Sequence, residues 1–296
     1  MKYCPTCSQV VLKADFDNDI YNKNSISDIV NGEVKYYAKN FLDEYLNTQV
    51  FLRLIGPVTF EDDTKEKYGY CSPFNRLNFA IENPELTYSV NRTQTAYGIV
   101  DILMHTLERY FQPSSENEPC DGFAETLLKS VIEAGPKAME NPNDYDSRAV
   151  LMLMSSLSHN GLMNIGKKPG MPVHALEHAL SGVYPFVAHG AGLAVLFPMW
   201  ARFYIPYDVD KFDRFARNVF NLTNEDKMQN AKDGIDKLDE FFTSLSMPKT
   251  FKDLGINDVD IDKLVKVLTQ DGTRVIGHHV KPIDQDVAYS IYKMCI

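Results

Sequence analysis

Two pairs of potential metal ligands occur at the spacing of one helical turn. Asp101 precedes His105 by four residues, and His174 precedes His178 by the same interval. Residues four apart on a helix project from one face, about one turn from each other. A carboxylate and an imidazole within the apolar run GIVDILMHTLERYF are costly to bury unless a partner such as a divalent cation satisfies them. Taken alone, the first pair is explained as simply by partly exposed groups at a helix edge.

A third histidine strengthens the case for a metal. His189 follows His174 by fifteen positions, so three of the seven histidines fall within sixteen residues. One carboxylate with several imidazoles suits Fe(II) or Zn(II) better than Mg²⁺ or Ca²⁺. The competing interpretation is a chance grouping in which each histidine only caps a helix or packs in the core. That interpretation is weakened by the presence of two pairs at helical spacing and a third histidine.

The elements that would carry these residues are mostly helices. Apolar periodicity predicts helices over residues 94–111, 124–134, 146–160, 210–220, 226–245 and 260–268. Gly170 and Pro172 mark a boundary before the second histidine pair. Towards the start of the chain, residues 36–45 suit a helix and residues 65–82 suit short strands.

Composition narrows the class of protein. A net charge of -10 and a pI near 5.2 argue against nucleic-acid and membrane partners, because both are bound by clustered Lys and Arg side chains. No segment approaches the roughly 18 apolar residues of a membrane span, and the first residues lack the order of a secretory signal. A cytoplasmic location is therefore expected.

The cysteines do not predict a disulfide framework. There are five, an odd count in a sizeable chain, which fits a reducing compartment. Cys4 and Cys7 form a CxxC that could be half of a zinc ribbon or a redox pair, but no second CxxC completes a four-cysteine site. Two ordinary thiols are the simpler interpretation.

Four longer segments carry more information than the single residues. They are NPELTYSVNRTQTAYGIVDILMHTLERYF, NPNDYDSRAVLMLMSSLSHNGLMNIG, HALEHALSGVYPFVAHGAGLAVLFPMW and KPIDQDVAYSIYKM. Together they resemble the iron-containing alcohol dehydrogenase family, in particular its butanol-dehydrogenase-like branch. The resemblance implies a mainly α fold. Residues 86–296 would be the all-helical metal-binding catalytic domain of the dehydroquinate synthase-like, iron alcohol dehydrogenase fold. Residues 1–85 would be a short α/β remnant of the nucleotide-binding domain, truncated or divergent.

The resemblance also implies the site. Asp101, His105, His174 and His189 would hold Fe²⁺ or Zn²⁺, and His178 would lie near the nicotinamide as a proton relay, or else be a supporting or core histidine. The metal would acidify the alcohol and polarise the carbonyl. The expected activity is hydride transfer between NAD(P)(H) and a small primary alcohol or aldehyde, and a homodimer fits the family.

The sequence departs from the family in two places. It has no adjacent glycines and no GxGxxG to cradle a pyrophosphate, so the chain is expected to be N-terminally shortened relative to the family. The alternative is a non-catalytic metal-binding remnant lacking dinucleotide binding. A metal-dependent hydrolase or lyase would need only the ligand set. The interval from His174 to His189 is one residue longer than in the family, and residues 184–188, a predicted loop, would absorb it.

Overall fold

The computed structural model describes residues 81–112, 118–167, 170–277 and 281–296, together with four short strands. The chain divides into two compact units, Met1–Ile81 and Glu82–Ile296. The predicted helix over residues 36–45 and the thiols of Cys4 and Cys7 lie outside the described residues.

The first unit contains two antiparallel strand pairs among its described residues. Strand β1 (Lys2–Tyr3) pairs with β2 (Val10–Val11), and β3 (Val58–Glu61) pairs with β4 (Lys67–Tyr70). Strand β4 falls within residues 65–82, where short strands are predicted.

Helices account for most of the described part of the second unit. They are α1 (Arg92–Tyr110), α2 (Glu118–Glu140), α3 (Tyr145–His159), α4 (Pro172–Val183), α5 (His189–Tyr204), α6 (Val209–Phe220), α7 (Lys227–Ser244), α8 (Ile261–Thr269) and α9 (Gln285–Lys293). Short 3₁₀ turns occupy Pro84–Thr87, Leu162–Asn164 and Ile205–Tyr207. All six helices predicted from periodicity are confirmed, with ends shifted by a few residues, and α2 is longer at both ends than predicted.

Local sequence sets many of the helix starts. Asn or Asp side chains accept backbone N–H groups of the first turn of α1, α3, α7, α8 and α9, which satisfies donors that have no partner within the helix. Helix α4 differs, because Pro172 occupies its first position and the preceding Met171 makes no side-chain cap.

Helices α1 and α5 form the centre of the second unit. Helix α1 packs on α2, α3 and α5, while α5 also packs on α4, α7 and α9. The apolar side chains of Leu103 and Leu107 on α1, and of Phe197 and Trp200 on α5, are fully buried. Because α4 lies against α5 and also contacts α1, three helices that bear the predicted ligands meet in one place. A search of the described helices for a membrane-crossing segment finds none.

Candidate metal centre

Three imidazole rings from three helices converge on one carboxylate oxygen. The Nε2 atoms of His105, His174 and His189 lie 3.6, 3.3 and 3.6 Å from Oδ1 of Asp101. Asp101 and His105 come from α1, His174 from the first turn of α4, and His189 is the first residue of α5. The structure therefore brings together all four residues that the sequence predicts as metal ligands.

Buried carboxylates hold two of these rings from behind. His174 Nδ1 contacts Glu108 and His189 Nδ1 contacts Glu177, and neither carboxylate side chain is exposed. A carboxylate accepts a hydrogen bond, so in each ring Nδ1 carries a hydrogen. The Nε2 lone pair of the neutral ring then faces Asp101, which is the tautomer a metal ligand requires.

Glu108 also begins helix α4. Its carboxylate accepts the backbone N–H groups of Val173 and His174, the second and third residues of that helix. It thereby replaces the missing cap at Met171 and places a negative charge at the positive end of the helix. One side chain on α1 thus fixes both the start of α4 and the orientation of His174.

His105 is held differently. Its Nδ1 lies 3.1 Å from Nη1 of Arg109, which also donates to the backbone carbonyl of His105. Because a guanidinium only donates, this Nδ1 is the acceptor, and the neutral ring carries its hydrogen on Nε2, toward Asp101. To bind a cation through Nε2, His105 would have to exchange tautomers, with Arg109 giving up its contact with Nδ1.

The surroundings of the site shift the pKa values of its side chains in opposite directions. Burial raises the pKa of the Asp101 carboxyl, but hydrogen bonds from His174 and His189 hold that pKa well below its usual range. Burial lowers the pKa of His105 to about 2. Burial alone would also lower the pKa of His174 and His189, yet their carboxylate partners raise it to about 10 and about 9. Protons and a cation would compete for the same Nε2 atoms.

His178 lies at the exposed edge of the cluster. Its ring centroid is 5.4 Å from that of His189 and 6.2 Å from that of His174. It belongs to a second group of potential ligands with Glu177 and His189. Its ring therefore flanks the rings of His174 and His189.

The predicted connection before His189 is a loop in the structure. Helix α4 ends at Val183 and α5 begins at His189, so the connection coincides with the predicted one. Tyr184 anchors it, since its carbonyl accepts the N–H of Val187 and its hydroxyl accepts that of Asp260, both at 2.9 Å. The start of α5 packs closely on α1: a Cβ on Gly190 would lie 2.7 Å from the backbone of Tyr97.

Sequence reasoning missed the residues that support the rings. Glu108 lies three residues after His105 and seven after Asp101, so helical spacing places it on their face, and Glu177 stands three after His174. That periodicity could have revealed both carboxylates. Arg109 follows His105 by four residues, so the same periodicity places its side chain next to that ring.

The donor set fits a divalent transition metal. Asp101, His105 and His174 each offer a ligand atom, and these atoms lie within 4.8 Å of one another, with His189 Nε2 close to the same Asp101 oxygen. Imidazole nitrogens with one carboxylate oxygen match the preferences of Fe(II) and Zn(II). The carboxylates that orient His174 and His189 are the outer partners that metal-bound histidines typically have.

Comparison with known proteins identifies the family of this chain. Residues 95–295 match the model of the Fe-containing alcohol dehydrogenase family, C-terminal. NADH-dependent butanol dehydrogenase A of Clostridium acetobutylicum is 35% identical over 233 residues, which cover 78% of this chain and 59% of that protein. A probable NADH-dependent butanol dehydrogenase 1 of Bacillus subtilis is 35% identical over 220 residues, 74% of this chain and 57% of that protein. The chain thus spans somewhat more than half the length of these relatives.

Solved structures agree with the sequence comparison. The butanol dehydrogenase A of Thermotoga maritima superposes with a TM-score of 0.75 at 29% identity, covering 81% of this chain and 62% of that one. The YqhD protein of Escherichia coli gives a TM-score of 0.74 at 30% identity, covering 79% and 59%. The predicted fold is confirmed, and the chain belongs to the iron-containing alcohol dehydrogenase family, with its helical unit corresponding to the C-terminal domain.

Proposed function

We propose that this chain binds one Fe²⁺ or Zn²⁺ ion through Asp101, His105, His174 and His189. The observation that carries this proposal is the convergence of three Nε2 atoms, 3.3 to 3.6 Å away, on a single oxygen of Asp101. Side chains of unlike chemistry from three helices would meet at one point by chance only rarely. A chance cluster would also not need buried carboxylates to orient two of its rings, whereas a metal site uses such carboxylates.

The reaction we propose is hydride transfer between NAD(P)(H) and a small alcohol or aldehyde. In the reducing direction the aldehyde carbon takes hydride from NAD(P)H and the oxygen takes a proton, giving the alcohol and NAD(P)⁺. The names of the relatives support both cofactors, since they include NADH-dependent butanol dehydrogenases and an NADPH-dependent aldehyde reductase. A bound divalent ion would supply Lewis acidity toward the substrate oxygen.

The residues of the chain would provide orientation and proton movement. Glu108 and Glu177 hold the His174 and His189 rings in the tautomer that leaves Nε2 basic. His178, on the exposed edge of the cluster, would carry a proton between the reacting oxygen and solvent. Residues 86–296 would form the metal-binding catalytic domain, and residues 1–85 a nucleotide-binding-like segment.

Metal content and cofactor binding test this proposal. Purified chain should contain about one equivalent of metal. The Asp101→Ala and His174→Ala variants should lose it, whereas Asp210→Ala, which removes an exposed carboxylate, should keep it. Calorimetric titration with NADH and NADPH, followed by aldehyde-dependent loss of reduced cofactor, tests the reaction.

The possible outcomes separate the candidate functions. Metal with cofactor binding and turnover supports the dehydrogenase. Metal without cofactor binding favours the alternative, a metal-binding remnant. Absence of metal, with the Asp101 and His174 variants indistinguishable from wild type, would refute both.

A further inference from the structure

His159 is an imidazole beside the candidate metal centre that the ligand set does not use. It is the last residue of α3, which packs on α1. Its ring centroid lies 3.6 Å from that of His105, with the two rings tilted by 39°. The residue is exposed, whereas His105 is half-buried. His159 therefore borders the site on the side of His105.

Hydrogen bonds at the end of α3 determine which nitrogen of His159 is free. Nδ1 lies 2.9 Å from the carbonyl oxygen of Ser155 and 2.7 Å from Oγ of Ser158. The Ser158 hydroxyl gives its own hydrogen to the same carbonyl, at 2.8 Å, so its oxygen acts as an acceptor toward the ring. With two acceptors at Nδ1, the hydrogen of neutral His159 lies on Nδ1, and Nε2 keeps its lone pair.

This ring is also held in place. Ser158 is buried, and the two acceptors at Nδ1 together with the close ring contact with His105 restrict rotation of the His159 side chain. A histidine that only covered His105 would require the ring contact but no fixed tautomer. The combination yields a fixed hydrogen-bond acceptor, one ring away from a proposed metal ligand.

We propose that His159 is a substrate-positioning residue whose Nε2 accepts a hydrogen bond from a second hydroxyl group of the substrate. This inference rests on the proposed function, because the substrate's reacting oxygen would bind at the centre formed by Asp101 and the converging rings. A hydroxyl on the neighbouring carbon would then lie beside His105, where His159 offers its acceptor. The favoured substrates are small hydroxyaldehydes and the corresponding vicinal diols.

The test measures ligand binding to the full chain loaded with Co²⁺, without requiring turnover. Cobalt stoichiometry is determined first. The visible absorption of the cobalt chain is then followed during titration with 1,2-propanediol and, separately, with 1-propanol. His159→Phe removes the acceptor while keeping an aromatic ring against His105, and His159→Gln keeps an acceptor at that position.

We expect wild type to bind the diol about fivefold more tightly than His159→Phe does, since one hydrogen bond contributes about 1 kcal/mol. The affinity for 1-propanol should change less than twofold, and His159→Gln should recover part of the affinity for the diol. Equal weakening of both ligands in His159→Phe, or no change in either, or no binding of either alcohol by the loaded chain, would overturn the inference. Failure to take up cobalt would instead overturn the proposed metal centre and this inference with it.

Discussion

At the scale of single residues, the proposed ligands differ in what stands behind them. Two rings rest on buried carboxylates, whereas His105 faces the guanidinium of Arg109. Carboxylates increase the basicity of a ring nitrogen toward a metal, and a guanidinium does the opposite by donating to the ring and adding positive charge. The site thus combines two rings prepared for a cation with one that must rearrange.

Replacing Glu177 by Gln tests the carboxylate support. The amide can still accept from Nδ1 of His189 but carries no charge, so we expect the affinity for Zn²⁺ to fall about 10- to 100-fold. Competition with a chromogenic chelator measures this affinity. Glu133→Gln, which alters a well exposed carboxylate on α2, is the matched control and should bind Zn²⁺ like wild type. Unchanged affinity in Glu177→Gln would mean that Glu177 only packs.

Replacing Arg109 by Met tests the opposite effect. The variant removes the donor at Nδ1 of His105 and a positive charge close to the site, so metal affinity should rise severalfold. The same chelator competition measures the change, and chemical unfolding of the metal-free variant shows whether the fold persists. A lower affinity in a folded variant would show that Arg109 instead orients His105 for binding.

At the scale of elements, the geometry depends on how closely α5 approaches α1. Helix α5 starts at His189, and the next residue, Gly190, lies against the backbone of Tyr97, with no room for a side chain. Backbone atoms cannot move aside as the end of a flexible side chain can. The position of the His189 ring is therefore tied to the absence of a side chain at the following residue.

Gly190→Ala should separate the two helices. The added methyl would lie 2.7 Å from Tyr97, so we expect a destabilisation of about 1 to 3 kcal/mol. We also expect at least a tenfold loss of metal affinity, because His189 moves away from Asp101. Urea unfolding and chelator competition measure the two effects.

Gly98→Ala on α1 is the control. A Cβ added there would meet no neighbouring element within 4 Å, so the substitution should increase the free energy of unfolding by about 0.5 to 1 kcal/mol. Metal affinity equal to wild type in Gly190→Ala would contradict this explanation.

At the scale of the helical unit, a buried ionic network joins helices away from the candidate site. The fully buried ammonium of Lys167 lies 2.6 Å from Asp121 on α2, and Lys211 on α6 donates to the same carboxylate. Lys167 also donates to the carbonyl of Arg109 on α1. Through Asp121 and Lys167, the network thus connects three helices and the loop before α4.

Asp121 should make stability depend on pH. Burial raises its pKa, but hydrogen bonds from Lys167 and Lys211 lower it below the ordinary value of 3.8. Because the folded pKa is depressed, the contribution of Asp121 is present above pH 3.8 and is lost as pH falls through the lowered pKa. Asp121→Asn should remove this loss and, by leaving Lys167 buried without its partner, should cost about 3 kcal/mol at pH 7.

Urea unfolding of wild type and Asp121→Asn between pH 7 and about pH 2 measures both effects, since the loss begins at the ordinary pKa and is complete only below the lowered one. Asp210→Asn removes an exposed carboxylate paired with Lys227 and should leave the pH profile almost unchanged. Parallel profiles for wild type and Asp121→Asn would show that other carboxylates govern the acid limit.

The sequence alone determined the helices of the second unit and the residues that could bind a metal. Apolar periodicity is a local property that tertiary packing did not override, and a four-residue interval on a helix fixes a shared face. For the same reason, the pairing of Asp101 with His105 could be predicted before any fold was known. The loop over residues 184–188 was predicted as well, because Gly182 and Pro185 interrupt the helical pattern.

Only the tertiary structure decided which residues act on one another across helices. Glu108 begins α4 and contacts His174, 66 residues later in the chain. His159 reaches His105 through the packing of α3 on α1. No local pattern encodes such contacts, because they result from how helices pack, and packing depends on the whole set of buried side chains.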